Sequence, residues 1–342
     1  MWIASSLSTV KTPTVIALGN FDGVHRGHQS VIGTILANTN GRWRSDQDCV
    51  KSSSWVTAPR VISPRIDFQS QPLVTVVSFS PHPQEFFTGQ RRLLLTPLAE
   101  KAKYLQAIGV EQIVLLPFNA ELAALTPPDF VEQILVRGLQ AQRISVGKDF
   151  RFGQGRSGTI TDLQQLAAPY GITVEVAPLY LDHDGRISSS RIREALRQGD
   201  IAQANQLLGR PYQLVGEVVT GRQLGRTIGF PTANLKLPED KFLPCCGVYS
   251  VWVSAAEEQN HPGVMNIGYR PTVEGQQLTV EIHLFDWSGD LYGHTLTVSL
   301  VHFLRPEQKF PSLEALKAQI QQDCDQARRG LNPSCEIIGP TP

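Results

Sequence analysis

Hydrophobic positions in this chain change period several times, and each change marks an element. Val15 to Leu18 is an unbroken apolar run, and from Val24 the apolar positions recur at helical spacing through Val31, Ile32, Ile35 and Leu36. The first pattern predicts a buried strand and the second a helix, with the turn Gly19-Asn20-Phe21-Asp22-Gly23 between them. The alternation continues. Leu73 to Phe79 predicts a second strand, stopped at Pro81-His82-Pro83, Leu98 to Ile108 a helix, and VEQIVLLPF a third strand. Asp129 to Leu139 reads as a helix, RISVG as a fourth strand and GITVEVAPL as a fifth. Strands alternating with helices imply a parallel sheet with right-handed crossovers, which takes ligands beyond the carboxyl ends of its strands. The turn after Leu18, the Pro-His-Pro turn and the loop after Val146 all fall at such ends. Asn38 to Gln71, polar and broken by Gly, Ser and Pro, reads as a long surface insertion.

From Arg186 the period changes. ISSSRIREALRQGDIAQANQLLG reads as two short helices broken at Gly199-Asp200. Beyond Gly209, GEVVTG, GVYSVWVSA, QLTVEIHLFDW and TLTVSLVHFL alternate apolar and polar residues between turn residues, which predicts a compact antiparallel barrel. A last helix follows, with Ser312 as N-cap and Leu313, Leu316 and Ile320 on one face. The expected division is one domain over 1–186, a connecting helical segment over 187–208 and a second domain over 209–342 that folds on its own.

Composition narrows the class. A chain of 342 residues with 41% hydrophobic and 18% charged residues is an ordinary globular protein, long enough for two cores. A formal net charge of +0 leaves no footprint for nucleic acid or an anionic membrane, so phosphate recognition must be local. The N-terminus lacks a signal-peptide pattern, and no apolar run approaches the ~18 residues of a membrane span. Five cysteines without CxxC spacing predict reduced thiols and a cytoplasmic setting.

Candidate chemistry then falls in five places. His25 and His28, three apart around Gly27 at the start of the first helix, would point the same way beside unpaired amides, a phosphate site with two added donors. Zinc through two histidines is the alternative, but no third ligand is suggested nearby. Ser188, Ser189 and Ser190 precede a helix whose first turn carries Arg191 and Arg193, a second phosphate-type arrangement whose plainer reading is an N-cap with solvated arginines. Gly147 to Thr159, with Asp149, Phe150 and Phe152, could hold a planar ring. In Gly221 to Asn234, a glycine-punctuated arch ends in Pro231-Thr232-Ala233-Asn234. If that end is extended, Thr232 and Asn234 share a side and offer a hydroxyl and an amide oxygen to Mg²⁺. Glu281 shares a strand face with His283 and Phe285, either as an edge or paired carboxylate or as a general base. No G-x-G-x-x-G follows the first strand and no G-x-x-x-x-G-K-[ST] occurs, which disfavours a nicotinamide dehydrogenase and a P-loop enzyme.

Taken in order, GNFDGVHRGH, SFSPHPQEFF, VGKDFRFGQGRSG, ISSSRIR, GRQLGRTIGFPTANL, GVMNIGYRPTV, VEIHLFDW and LRPEQKF closely resemble the prokaryotic bifunctional riboflavin kinase/FMN adenylyltransferases, also called FAD synthetases. The resemblance covers nearly the whole chain. It departs in the 38–71 stretch and at Ser190, where the family has threonine. It implies an α/β N-terminal domain of Rossmann-like nucleotidyltransferase architecture with a parallel sheet, and a C-terminal antiparallel flavokinase-like β-barrel with a closing helix. It also implies two reactions. Riboflavin and ATP give FMN in the C-terminal domain, and FMN and ATP give FAD and pyrophosphate in the N-terminal one. By resemblance, His25 and His28 act at the α-phosphate and Arg193 at pyrophosphate, assisted by Ser188, Ser189 and Ser190, with Gly19, Asn20, Phe21, Asp22 and Gly27 lining the phosphate turn. Glu281 deprotonates the ribityl hydroxyl, Thr232 and Asn234 hold Mg²⁺, and Gly221, Gly225 and Arg226 cover ATP. His82, Pro83, Asp149, Phe150, Arg305 and Phe310 contact flavin or nucleotide. Riboflavin, FMN and ATP are then the partners, with no nucleic acid and no membrane. Two rival readings remain at this point, a nucleotidyltransferase for another substrate and a flavin-binding regulator with an inactive kinase half.

Overall fold

The computed structural model describes residues 1–40, 71–183, 185–221, 225, 228–255, 260–272 and 275–331. Most of the expected insertion, residues 41–70, lies outside the described residues, as does Arg226. The chain divides into two compact units: Met1–Arg92 with Lys101–Arg186, and Leu93–Glu100 with Ile187–Pro342.

The first unit is built on a six-stranded sheet in the order β1-β4-β3-β2-β5-β6, every neighbouring pair parallel. Its strands are Trp2–Ala4 (β1), Thr14–Leu18 (β2), Leu73–Ser80 (β3), Gln112–Pro117 (β4), Ala141–Gly147 (β5) and Thr173–Ala177 (β6), and a separate antiparallel pair, Leu181–Asp182 (β7) and Gly185–Arg186 (β8), follows them. All five residues of β2 are buried, as a strand covered on both faces requires. The helices α1 (Arg26–Asn40), α2 (Pro83–Thr88), α3 (Leu98–Ala107), α4 (Ala120–Ala124) and α5 (Ile160–Ala167) occupy the connections. Ser145 Oγ and an Arg143 guanidinium nitrogen on β5 donate to the Val31 and Ile35 carbonyls of α1, each at 2.8 Å, so the helix is hydrogen-bonded to its sheet as well as packed on it. The helix expected over Asp129–Leu139 is a π-helix over Phe130–Gly138, its buried stripe Phe130, Val131, Ile134 and Leu135. After β2 the chain moves to β3 and β4 on one side, then returns to β5 on the other. The strand order therefore reverses between β2 and β5, which creates a switch point beyond their carboxyl ends.

In the second unit, β9 (Gln213–Val219), β10 (Ala233–Lys236), β11 (Gly247–Ala255), β12 (His261–Thr272), β13 (Gly275–Leu284) and β14 (Thr295–Arg305) close a barrel in the order β10-β13-β12-β11-β14-β9. The pattern predicted four of these strands; β10 is too short to show a period, and Pro262, Gly263, Gly268 and Pro271 interrupt the alternation of β12. Leu214, Tyr249, Val251, Met265, Ile282 and Val298 fill the interior. Outside, α8 (Leu313–Leu331) sets Cys324, Ala327 and Leu331 against Val248, Val264 and Phe285. The two helices α6 (Ser189–Gln198) and α7 (Ile201–Leu208) place Ile192, Leu196, Leu207 and Leu208 in the same core as the barrel interior. Residues 187–208, expected as a connecting segment, are therefore part of the barrel's core, and a fragment starting at Gly209 would expose it.

Candidate active sites

The turn after β2 lies at the switch point of the first unit. Phe21 and Val24 adopt positive φ (49° and 42°) and are each 1% exposed, flanking Gly23 at φ 93°. Left-handed backbone is costly for side chains of this bulk, so their burial in the core holds the turn in place. The chain then enters α1 through His25, which acts as the N-cap: its Nδ1 accepts the main-chain N–H of His28 at 3.2 Å, and its carbonyl accepts from Gln29 at 2.9 Å. An Nδ1 engaged as acceptor places the proton of the neutral ring on Nε2 and makes that atom a donor. The two imidazoles stack, centroids 3.6 Å apart and planes 18° from parallel, with Phe21 edge-on to His28 at 5.3 Å. His25, the cap, is 5% exposed and paired ring to ring with His28. Gly27 lies in the first helical turn.

A cavity of about 660 Å³ meets this turn at Gly19 and Asn20. Its walls are largely aromatic: Phe79, Phe87, Phe118, Phe130, Phe150 and Phe152, with His82 and Pro83 at one edge and Asp149 at another. Phe150 and Phe152 lie parallel at 6.0 Å, and Phe118 meets Phe79, Phe86 and Phe87 edge-on. His82 caps α2, its Nδ1 accepting from Gln84, and Asp149 pairs with Arg186. The Asn20 carbonyl accepts from Ser78 Oγ at 3.1 Å and Lys101 Nζ at 3.0 Å, which fixes the main chain, while its side-chain Oδ1 is buried and has no hydrogen-bond partner. Lys101 was not foreseen. It is 7% exposed, and burial lowers the pKa of its amine while the Asp22 carboxylate pulls it back up. The signal was available: Lys101 stands one turn before the fully buried Leu105, in the apolar phase of α3.

Ser188, Ser189, Ser190 and Arg193 belong to the second unit. Ser188 caps α6 by accepting the Arg191 N–H at 3.3 Å; Ser189 and Ser190 form its first turn. Arg193, 6% exposed, donates to the carbonyls of Leu93 (3.1 Å) and Ser189 (3.3 Å), with Phe242 beneath its guanidinium. Ser188 is thus the helix cap, and Arg193 is buried rather than solvated.

On the barrel, Asn234 of β10 stands directly opposite Glu281 of β13, and Glu281 in turn stands opposite Asn266 of β12. Val280 and Ile282 point into the core, so Glu281 lies half-buried on the outer face, with His283 two residues on hydrogen-bonded through Nδ1 to the Pro231 carbonyl at 2.8 Å. Thr232 and Asn234 both face the glycines of the arch. A Cβ on Gly225 would lie 3.2 Å from Thr232 Oγ1, and one on Gly221 would collide with the Asn234 amide. Asn234 and Gly221 line one cavity of about 880 Å³, and Thr232 lines another of about 530 Å³ with Trp287 and Tyr292. Among the described residues no cluster of three or more His, Cys, Asp or Glu could hold a metal. A hydroxyl and an amide beside a glycine cradle fit Mg²⁺, which takes few protein oxygens and completes its shell with water and phosphate. The missing Cβ is what lets the arch approach Asn234. Gly221→Ala should therefore lower the riboflavin phosphorylation rate at least tenfold and leave adenylylation of supplied FMN unchanged, measured by flavin chromatography; equal rates would remove the arch from the site.

Arg305 and Phe310 have local partners. Arg305 grips Asp323 of α8 through Nε and Nη2, one edge of its guanidinium, at 2.7 to 3.1 Å, and lies over the Phe310 ring at 5.7 Å. This ties α8 to β14.

The riboflavin kinase family model matches residues 208–331, and the FAD synthetase family model matches residues 7–44 and 65–191. The bifunctional riboflavin kinase/FMN adenylyltransferase of Escherichia coli K12 is 40% identical over 310 residues, 90% of each chain. That of Pseudomonas fluorescens is 40% identical over 94% of each chain, and that of Bacillus subtilis 34% over 92%. A crystal structure described as a macrolide-efflux protein from Streptococcus pneumoniae matches with a TM-score of 0.79 at 29% identity, over 96% of this chain and 99% of that one. With a parallel α/β unit and a closed barrel both present, and with identity extending over nine-tenths of either partner, the chain belongs to the family of bifunctional riboflavin kinase/FMN adenylyltransferases.

Proposed function

We propose that the first unit adenylylates FMN at the His25–His28 turn and that the second phosphorylates riboflavin around Asn234 and Glu281. The observation that carries this reading is the meeting of two features at Gly19 and Asn20. There the turn that forms one wall of an aromatic cavity suited to a flat ring leads on into a helix N-terminus suited to phosphate.

The two reactions ask for different chemistry. The FMN phosphate is anionic at neutral pH, so its attack on the α-phosphate of ATP needs no base; the charge on that phosphate and on departing pyrophosphate must be stabilised. His25 Nε2–H, the His28 ring and the first amides of α1 do this, and Phe118, Phe150 and their neighbours hold the ring. The ribityl hydroxyl of riboflavin is un-ionised, so its transfer to the γ-phosphate needs an acceptor for the proton, which is Glu281. Thr232 and Asn234 would hold Mg²⁺ through their oxygens; bound there, the ion neutralises phosphate charge. The adenylyltransferase is then the unit over 1–186 without Leu93–Glu100, and the kinase is the barrel over 209–342 together with residues 187–208, which pack into its core. A cytoplasmic setting fits the supply of ATP and the free thiols of Cys245, Cys246 and Cys324. Among the described residues no helix is long and apolar enough to cross a membrane.

Incubation with riboflavin and Mg-ATP, followed by chromatography, should yield FMN and then FAD. Tight flavin binding without turnover would instead establish the regulator reading. Phe118→Ala should raise KM for FMN about fivefold, the worth of about 1 kcal/mol of ring contact, with riboflavin phosphorylation unchanged. An unchanged KM would take the flavin ring out of this cavity.

A further inference from the structure

The segment Leu93–Glu100 lies, by sequence, inside the stretch that the FAD synthetase model matches, yet it packs with the barrel unit. Its attachment is continuous. Leu94 N–H donates to the Asp240 carbonyl at 2.6 Å, and its own carbonyl accepts from Phe242 at 2.8 Å, which makes a short parallel bridge to Lys241. Leu95 is fully buried in the barrel's core cluster, and the Leu93 carbonyl is held by Arg193. At the far end Glu100 and Lys241, with side chains 4% and 1% exposed, form an ion pair at 2.5 Å; the ammonium also donates to the Leu95 carbonyl at 2.8 Å and lies 4.5 Å over the Tyr212 ring. Burying two charges is costly, and replacing such a pair with apolar residues is often neutral or better, so stability alone does not account for it. The pair does fix Lys241, and Lys241 and Leu93 both line the cavity that Asn234 and Gly221 share.

We propose that Leu93–Glu100 is a working part of the kinase, with Glu100 as a positioning residue that sets Lys241 and, through it, the wall of the Asn234 cavity. This rests on assigning that cavity to phosphorylation. Wild-type turnover of riboflavin and its loss in Glu281→Gln test the assignment separately. In the full-length protein, Glu100→Gln should raise the kinase KM for ATP at least fivefold, hold KM for riboflavin within twofold and lower Tm. The double variant Glu100→Gln/Lys241→Met removes both charges; Tm should recover while KM for ATP stays high. A merely structural pair predicts that KM recovers with Tm, and that result would overturn the proposal. So would a KM for ATP within twofold of wild type in Glu100→Gln, or an equal rise in KM for ATP during adenylylation of supplied FMN. If Glu100→Gln does not fold, Leu93→Glu decides. Leu93 is 43% exposed at the cavity wall, and the new carboxylate should raise the kinase KM for ATP at least fivefold at unchanged Tm. No change there refutes the role of the segment.

Discussion

Replacing His28 by alanine is expected to abolish FAD formation while FMN accumulates. The substitution isolates the ring from the fold. What caps α1 is the main-chain N–H of residue 28, donated to His25 Nδ1, and alanine keeps that N–H. What is lost is the imidazole stacked 3.6 Å from His25 and edge-on to Phe21. Donors placed where charge develops act in a preorganised site, and removing one such donor costs about 10²–10³ in turnover. His25→Ala is the less informative variant, because it also removes the cap, worth about 1 kcal/mol of helix stability. The measurement supplies FMN and Mg-ATP and follows FAD by chromatography, with riboflavin phosphorylation read in parallel. Unchanged FAD synthesis would remove the histidine pair from the mechanism; a parallel loss of phosphorylation would show a folding defect.

How much of this was legible in the sequence depends on whether a residue's job is local. The strand, turn and helix from Thr14 to Leu36 could be read because the period switches within a few residues and the turn carries glycine on both sides. The capping role of Ser188 was equally local. The job of Arg193 was not: its partners include the carbonyl of Leu93, a hundred residues earlier, and no spacing rule spans that distance. The same holds for Glu100 and Lys241, 141 residues apart, which meet only because a short bridge at Leu94 joins segments that the pattern assigned to different domains. β1, three residues at the sheet edge, is too short for any period, and β12 is punctuated by the glycines and prolines that elsewhere mark turns. One of these has a reason in the fold: the Glu307 carboxylate stands where a Cβ on Gly268 would be. The aromatic cavity was half legible. Phe150 and Phe152 stood out in a glycine-rich loop, but Phe79, Phe118 and Phe130 read as ordinary core residues until β3, β4 and the π-helix brought them to one rim.

Glu281→Gln is expected to lose FMN formation and still adenylylate FMN supplied from outside. Register places Glu281 between Asn234 on β10 and Asn266 on β12, and directly opposed residues on neighbouring strands hold their side chains within about 5 Å of each other. The carboxylate of Glu281 therefore stands beside Asn234, whose amide oxygen is the one assigned to the metal. Glutamine has the same shape and can still accept a hydrogen bond from the ribityl hydroxyl, so KM for riboflavin should change little. It cannot take the proton. General-base assistance contributes about 10²–10⁴ to turnover, and kcat for phosphorylation should fall by that factor. Adenylylation needs no base, so its rate with FMN should match wild type. The contrast between the two rates in one variant separates lost chemistry from lost structure. A kcat for riboflavin phosphorylation near the wild-type value would mean that the proton leaves by another route and that Glu281 is a paired strand residue.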